Sequence, residues 1–113
     1  MRSGKTAPFH LQKEREMNLD KIKLSLRITT DAFDEELIML ANAAKLDLKV
    51  AGINPSVLES ESLSPLVEHA IITYVRLNFG QPNDYERLKN SYDEQKMQLG
   101  MSSEFTSFEV KHG

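Results

Sequence analysis

The fold is decided by residues 64–80, SPLVEHAIITYVRLNFG. Ser64 followed by Pro65 is the pattern of a helix N-cap and a first helical position, and Gly80 suits the position just after a helix C-terminus. Between them, apolar side chains fill about half of the circumference of a helical wheel. A helix this apolar has to be surrounded by partners. The pattern therefore predicts a helix over residues 65–79 at the centre of a helical bundle.

Two helices are predicted before this central one. Residues 18–27 place their leucines and isoleucine on a single helical stripe. Residues 31–51 begin with clustered acidic side chains, which the helix dipole favours at an N-terminus, and Thr29 or Thr30 is the candidate cap. Gly52 is suited to the left-handed conformation that closes a helix.

One helix is predicted after the central one. Residues 84–99 follow Asn83, which together with Glu86 has the spacing of a capping box. Residues 53–63 are predicted to be a loop, since proline and serine break the helical period there. The expected fold class is all-α, a small bundle of about four helices with flexible N- and C-terminal tails.

The length of 113 residues suits one domain. Met17 stands immediately before a helix-like segment, so residues 1–16 are expected to be an extension or a vector-derived segment without order. Residues 17–100 form the predicted helical domain, and residues 101–113 a C-terminal tail. The chain contains no cysteine, which excludes disulfides and thiolate metal sites. No apolar run approaches the length of a membrane span, so no membrane partner is expected.

Charge is distributed unevenly along the chain. Residues 1–27 hold seven Lys/Arg and three Asp/Glu, a balance of +4, whereas residues 28–113 hold seven and fourteen, a balance of −7. The basic start is typical of a solvated segment. The acidic body is expected to repel nucleic acid rather than bind it.

Helix 31–51 has two apolar sides. One continuous stripe is predicted to face the core, and it consists of Phe33, Leu37, Leu40, Ala41, Ala44, Leu48 and Ala51. A second stripe lies nearly opposite, and it consists of Met39, Ala43, Leu46 and Val50. A small domain does not easily bury both sides of one helix in a single core. Either helix 18–27 or the C-terminal tail of the same chain covers the second stripe, or a neighbouring subunit does.

No catalytic constellation is evident. None of the three histidines has a metal-ligand spacing to another histidine, and His69 is expected to be solvated on the polar side of the central helix. The acidic residues at the start of helix 31–51 lack the spacing and glycine of a calcium loop. Glu59 and Glu61 have no visible acid–base partner. The sequence therefore predicts no enzyme activity, no metal and no cofactor.

Three runs together resemble a known family. They are ITTDAFDEELIMLANAAKLDLKVAGI (28–53), SPLVEHAIITYVRLNFG (64–80) and NDYERLKNSYDEQKMQLGMSSEF (83–105). Their order is similar to that of the small head–tail connector proteins of tailed bacteriophages and prophages, some of which are described as DNA-packaging proteins. The likeness covers residues 18–105 and consists of helical patterns rather than catalytic motifs.

The resemblance implies a structural protein that forms a homo-oligomeric ring, commonly of about twelve copies. The ring is expected beneath the portal protein, where it extends the DNA channel for packaging and retention and offers a surface to a tail-side completion protein. DNA would pass through without specific binding. The expected location is the head–tail interface of the virion, and the host cytoplasm during assembly.

Particular residues can be assigned to these expected contacts. The second stripe of helix 31–51, Met39, Ala43, Leu46 and Val50, is the candidate subunit interface. The candidate segment for docking to the portal or to a neighbour contains Phe105, Phe108 and Val110. The candidate channel-facing loop carries Glu59 and Glu61.

Two other functions remain open. The turn at residues 80–83 between two helices permits a helix-turn-helix reading, hence a small DNA-binding or regulatory module, although the following helix carries four acidic side chains against three basic ones. A small enzyme is the second alternative, but the sequence contains no catalytic motif that would support it.

Overall fold

The computed structural model describes residues 19–60 and 62–106. Within these ranges the chain forms six helices and no strand, namely α1 over residues 19–26, α2 (Asp34–Val50), α3 (Pro55–Leu58), α4 (Pro65–Asn78), α5 (Tyr85–Gly100) and α6 (Ser103–Thr106). The all-α prediction is confirmed. Each of the four expected helices is present, with ends that differ from the predicted ones by a few residues.

The central helix is α4, as its composition predicts. It packs against both α2 and α5. Its buried side chains are Val67, Ala70, Ile71, Thr73, Val75 and Leu77. Thr73 is the polar member of this set, and it is only 3% exposed. Its hydroxyl is satisfied locally because it donates to the backbone oxygen of His69 at 2.9 Å, so the burial leaves no donor unpaired.

One side of α2 completes the core. Leu37, Ala44 and Leu48 are fully buried on a single stripe. Ala51, which was predicted to extend this stripe, is exposed because α2 ends one residue earlier. Gly52 then adopts a φ of 110°, which turns the chain out of the helix in a conformation that side chains disfavour.

The predicted cap of α2 is wrong. Neither Thr29 nor Thr30 caps the helix; Phe33 occupies the N-cap position and makes no side-chain cap hydrogen bond. Thr30 instead accepts a hydrogen bond from the backbone of Ala32 at 3.2 Å, which uses its hydroxyl in the preceding turn. The helix therefore begins at Asp34, three residues later than predicted, and its start is supported by acidic side chains rather than by a hydroxyl cap.

The predicted N-cap of α4 forms, whereas the predicted N-cap of α5 does not. Ser64 accepts a hydrogen bond from the backbone of Leu66 at 3.3 Å, so the predicted cap before Pro65 is confirmed. At α5 the capping box expected at Asn83 does not form. Asp84 takes the N-cap position without a side-chain cap hydrogen bond and pairs with Arg87 instead.

The predicted loop 53–63 contains a short helix. Asn54 caps α3 by accepting a hydrogen bond from the backbone of Ser56 at 3.0 Å, and Pro55 occupies the first helical position. Leu58 at the end of α3 is buried in the core. A single buried leucine shows no helical period, so this element could not be recognised from spacing.

The folded unit extends beyond the predicted end at residue 100. Residues Ser103–Thr106 form α6, and Phe105 is only 5% exposed. The backbone oxygen of Phe105 accepts a hydrogen bond from the backbone of Asn54 at 2.8 Å, which joins α6 to the start of α3. Residues 101–106 are thus part of the domain rather than a tail, and residues 107–113 lie outside the described residues.

Helix α1 is held to the bundle by apolar and charged contacts. Ile22 is buried in the core. Lys21 pairs with Glu68 of α4 at 3.0 Å, and Lys23 pairs with Asp34 at the start of α2 at 2.9 Å. These contacts place α1 against both α2 and α4.

Candidate subunit interface

The outward side of α2 carries an uncovered apolar stripe. We call Met39, Ala43, Leu46 and Val50 the outer stripe. Met39 is 68% exposed, Leu46 60% and Val50 79%. The stripe lies nearly opposite the buried residues Leu37 and Leu48 and, at 1.5 Å per residue, is about 16 Å long. A contiguous row of this kind is unusual on the surface of a protein that works alone.

Two segments of the same chain, α1 and the C-terminal segment, were candidates to cover the outer stripe. Both pack elsewhere. Helix α1 contributes Ile22 to the core and binds α4 through Lys21. The C-terminal segment, as far as it is described, contributes Phe105 to the core next to α3. In the described part of the chain, neither segment shields the outer stripe.

Charged side chains flank the outer stripe, with acidic residues at one end and a basic residue at the other. Glu35 and Glu36 are exposed at the N-terminal end of α2, and Lys49 is exposed near the C-terminal end. None of the three forms an ion pair with another described residue. The outward side of α2 is therefore acidic at its start and basic at its end, and both charges remain available to a partner.

A polar cluster fixes how α2 sits on α5. The Tyr92 hydroxyl donates to Asp47 Oδ2 at 2.6 Å, and Lys96 Nζ donates to the same oxygen at 3.1 Å. Lys96 Nζ also lies 5.2 Å from the centre of the Tyr92 ring, and the Tyr92 and Tyr74 rings pack edge to face with their centres 5.3 Å apart. These contacts oppose rotation of α2, and they keep the outer stripe directed away from the core.

The electrostatics of this cluster follow from its geometry. Burial raises the pKa of the Asp47 carboxyl, but hydrogen bonds from Tyr92 and Lys96 outweigh burial and hold that pKa below its ordinary value. Burial, together with the hydrogen bond to Asp47, raises the pKa of the Tyr92 hydroxyl well above its ordinary value. Asp47 is therefore an anion and Tyr92 a neutral donor at neutral pH.

The family of the chain is shown by comparison with known proteins. A family model described as phage connector protein matches residues 19–106. The chain belongs to the phage connector family. The match includes every helix from α1 to α6, so the connector fold and the described domain coincide. No curated protein and no solved structure gives a significant match.

Family membership gives the outer stripe its context. Phage connectors are structural proteins of the virion, so this chain is a phage structural protein that interacts with other virion components. The resemblance read from the sequence is thereby confirmed at the level of the family. In the described part of the connector, no helix combines the length and the apolar character that crossing a bilayer requires.

The other predicted site residues of the connector fall in different places. Glu59 is exposed just after α3, and Glu61 lies outside the described residues. The assignment of Phe105 to a docking tail is wrong in one respect, because its side chain is buried in its own core and is not free to bind a portal. Phe108 and Val110 lie outside the described residues. Of the described residues among these, Glu59 lies beside the outer stripe, since it lines one pocket together with Leu46 and Lys49, whereas Phe105 does not.

No cluster suited to a metal ion is present among the described residues of the connector. His69 is exposed on α4, as expected. Across residues 19–60 and 62–106, no group of three or more His, Asp or Glu side chains is arranged to hold a metal ion.

Two surface residues were not singled out from the sequence. Met97 is 59% exposed and Met101 77% exposed near the C-terminal end of α5. They stand four residues apart, and they lie opposite the side that buries Leu88, Tyr92 and Leu99. That spacing was present in the sequence, but a pair of methionines is a weak pattern until the core side of the helix is known.

Replacing Tyr92 with phenylalanine tests the polar cluster. The change should lower the free energy of unfolding by about 1–2 kcal/mol at neutral pH, because it removes a hydrogen bond to a carboxylate. The pKa of Asp47 is lowered in the folded chain, so the ionised carboxylate stabilises the fold at pH values above the ordinary carboxyl pKa. This stabilisation is lost as pH falls through the folded pKa. The difference between wild type and variant should therefore shrink in acid.

Denaturant unfolding at several pH values measures this effect. Tyr85→Phe is the matched control, since Tyr85 is 43% exposed and its hydroxyl has no partner among the described residues. Equal stability of wild type and Tyr92→Phe at neutral pH would show that the cluster does not hold α2 in place.

Proposed function

We propose that this connector assembles with copies of itself into a ring between the portal and the tail of the phage particle. The ring extends the channel through which DNA is packaged and retained, and it presents a surface to a tail-side completion protein. The observation that carries the proposal is the outer stripe, whose three large side chains are uncovered in the described domain.

Apolar side chains that remain in water lack the free energy that burial contributes. Burying one leucine-sized side chain contributes about 1.5–3 kcal/mol. Single exposed apolar residues are common on protein surfaces, but Met39, Leu46 and Val50 form a row on one helix. Contact with a second copy removes this row from water. Repeated contacts that close on themselves produce a ring.

The charge of the domain supports the proposed channel. Residues 19–106, which include all six helices, carry a balance of −5 from nine Lys/Arg and fourteen Asp/Glu. A wall with this sign repels phosphate, so DNA passes it without being bound. Glu59 and Glu61 belong to the segment that we assign to the channel wall. The role is that of a passive conduit, with no catalytic step and no cofactor.

A DNA-binding module is the less favoured function. Helix α5, which follows the turn at residues 80–83, has three cationic side chains, and all of them are paired within the chain. Arg87 pairs with Asp84, Lys89 with Asp93 at 3.0 Å, and Lys96 with Asp47 at 3.1 Å. A helix whose cations are already neutralised by its own chain presents little positive surface to a phosphate backbone.

Replacing Leu46 with alanine tests the proposed assembly. The variant should associate more weakly than wild type by about tenfold or more, because it removes apolar area from the centre of the outer stripe. Its helicity should be unchanged, since Leu46 is 60% exposed. Light scattering over a concentration series, with and without the portal protein, measures the mass of the assembly.

Leu24→Ala is the matched control for this experiment. Leu24 is 78% exposed on α1, so its replacement removes a similar exposed side chain from a different surface. The control should associate as wild type does. If Leu46→Ala also associates as wild type does, the outer stripe is not an interface.

A further inference from the structure

We propose that the outer stripe of one copy packs against Met97 of α5 and Met101 just after α5 in the next copy, with the two helices antiparallel. The inference rests on the proposed ring, and it names the second surface that such a ring requires. We call Met97 and Met101 the methionine pair.

A ring needs two different surfaces on each copy. Contact between two identical surfaces produces a closed dimer. When one surface binds a different surface on the next copy, each end of the assembly keeps one unused surface, so further copies can add until the ring closes. The outer stripe is one of these surfaces. Its partner has to be a second exposed apolar site on the same chain.

The methionine pair is the strongest candidate for that second site. Leu24 on α1 and Leu66 on α4 are also exposed, but each is solitary on the outward side of its helix. Met97 and Met101 stand one turn apart at the C-terminal end of α5 and so form a continuous patch. Methionine side chains are flexible and adapt to the shape of an apolar partner.

The two surfaces cannot satisfy each other within one chain. Helix α2 buries the side that carries Leu37 and Leu48, and α5 buries the side that carries Leu88 and Leu99. The outer stripe and the methionine pair lie on the opposite sides of these two helices. Their contact therefore requires a second copy.

Charge complementarity gives the direction of the second helix. With Met97 set opposite Leu46, an antiparallel α5 brings Glu94 opposite Lys49 and Met101 next to Ala43. Glu94 and Lys49 are both exposed, and neither forms an ion pair with a described residue. The antiparallel arrangement therefore adds an ion pair between two charges that have no partner within the domain.

The parallel arrangement is disfavoured by the same side chains. With Met97 again opposite Leu46, a parallel α5 places Glu86 opposite Glu35. Both carboxylates are exposed and would repel each other across the contact. The parallel direction also moves Glu94 away from Lys49. The same register sets Arg87 opposite Glu36, but Arg87 is already paired with Asp84 of its own chain. The unpaired Lys49 and Glu94 thus meet only in the antiparallel direction.

Two aspartate variants test the pairing of the surfaces. Leu46→Asp disables the outer stripe, and Met97→Asp disables the methionine pair. Each variant alone should associate more weakly than wild type by about a hundredfold, because a charge is placed within an apolar contact. An equimolar mixture should form a complex of two chains that does not grow, since each variant supplies the surface that the other lacks.

The outcomes separate this inference from the proposed ring. If Met97→Asp assembles as wild type does while Leu46→Asp does not, the ring stands and the methionine pair is not its second surface. If Leu46→Asp assembles as wild type does, or wild type remains monomeric at millimolar concentration, the ring proposal itself fails. A mixture that stays monomeric contradicts the pairing. Circular dichroism confirms folding, and Leu46→Ser or Met97→Ser replaces the corresponding aspartate variant if that variant is unfolded.

A charge exchange tests the antiparallel direction. Lys49→Glu and Glu94→Lys should each weaken association by about tenfold, because each places like charges opposite one another. Mixing the two variants should restore assembly, since every contact between unlike copies then joins a lysine to a glutamate. Failure of the mixture to assemble would overturn the antiparallel arrangement.

Discussion

Replacement of Leu48 with alanine is expected to lower the free energy of unfolding by about 3 kcal/mol. Leu48 is fully buried on the core side of α2. The shorter side chain loses the transfer free energy of its methyl groups and leaves a cavity that the surrounding helices fill only in part. A domain of this size is stable by about 5–15 kcal/mol, so the loss is a large fraction of the total.

The matched control lies two residues away on the same helix. Leu46→Ala makes the same chemical change at a side chain that is 60% exposed, and it should alter the free energy of unfolding by less than about 0.5 kcal/mol. Denaturant unfolding of the monomer at low protein concentration measures both variants. Similar losses of unfolding free energy for Leu48→Ala and Leu46→Ala would contradict the assignment of one side of α2 to the core and the other to the surface.

Replacement of Phe105 with alanine is expected to cost about 3–4 kcal/mol of unfolding free energy. Phe105 is 5% exposed in α6 and packs with the core. Its backbone oxygen is bound by Asn54 at 2.8 Å, so the residue closes the bundle beneath α3. Loss of the ring empties a large apolar volume next to that contact.

Met101→Ala is the control for this second change. Met101 is 77% exposed at the end of α5, four residues before Phe105, and its replacement should change stability by less than about 0.5 kcal/mol. Thermal and denaturant unfolding measure both variants. If Phe105→Ala is as stable as wild type, residues 103–106 are a tail after all and the domain ends near Gly100.

The burial of Phe105 could not be predicted from the sequence, whereas helix α4 could. Helix α4 was predictable because its signals are local, namely Ser64 and Pro65 at the start and an apolar arc between them. The burial of Phe105 depends on where α5 carries the chain and on a contact with Asn54, far away in sequence. Residues 101–113 show no helical period, and so nothing local indicated that part of this segment is folded.

The candidate interface was predictable for a different reason. The period of α2 predicts two apolar stripes, and a domain of this length has one core, so Met39, Leu46 and Val50 could be separated from Leu37 and Leu48 by spacing alone. The polar cluster that orients α2 was not predictable. Its pairs join residues in different helices, such as Asp47 and Lys96, which are 49 positions apart.

The most direct test of the account is photo-crosslinking from position 46 in assembled phage particles. A photoreactive phenylalanine analogue replaces Leu46, and the same analogue at Leu24 is the control. We predict that irradiation joins position 46 to a second copy of the chain, giving an adduct with twice the mass of one chain, while position 24 gives no such adduct. An adduct confined to the chain that carries the analogue would contradict the central claim that other subunits cover the outer stripe.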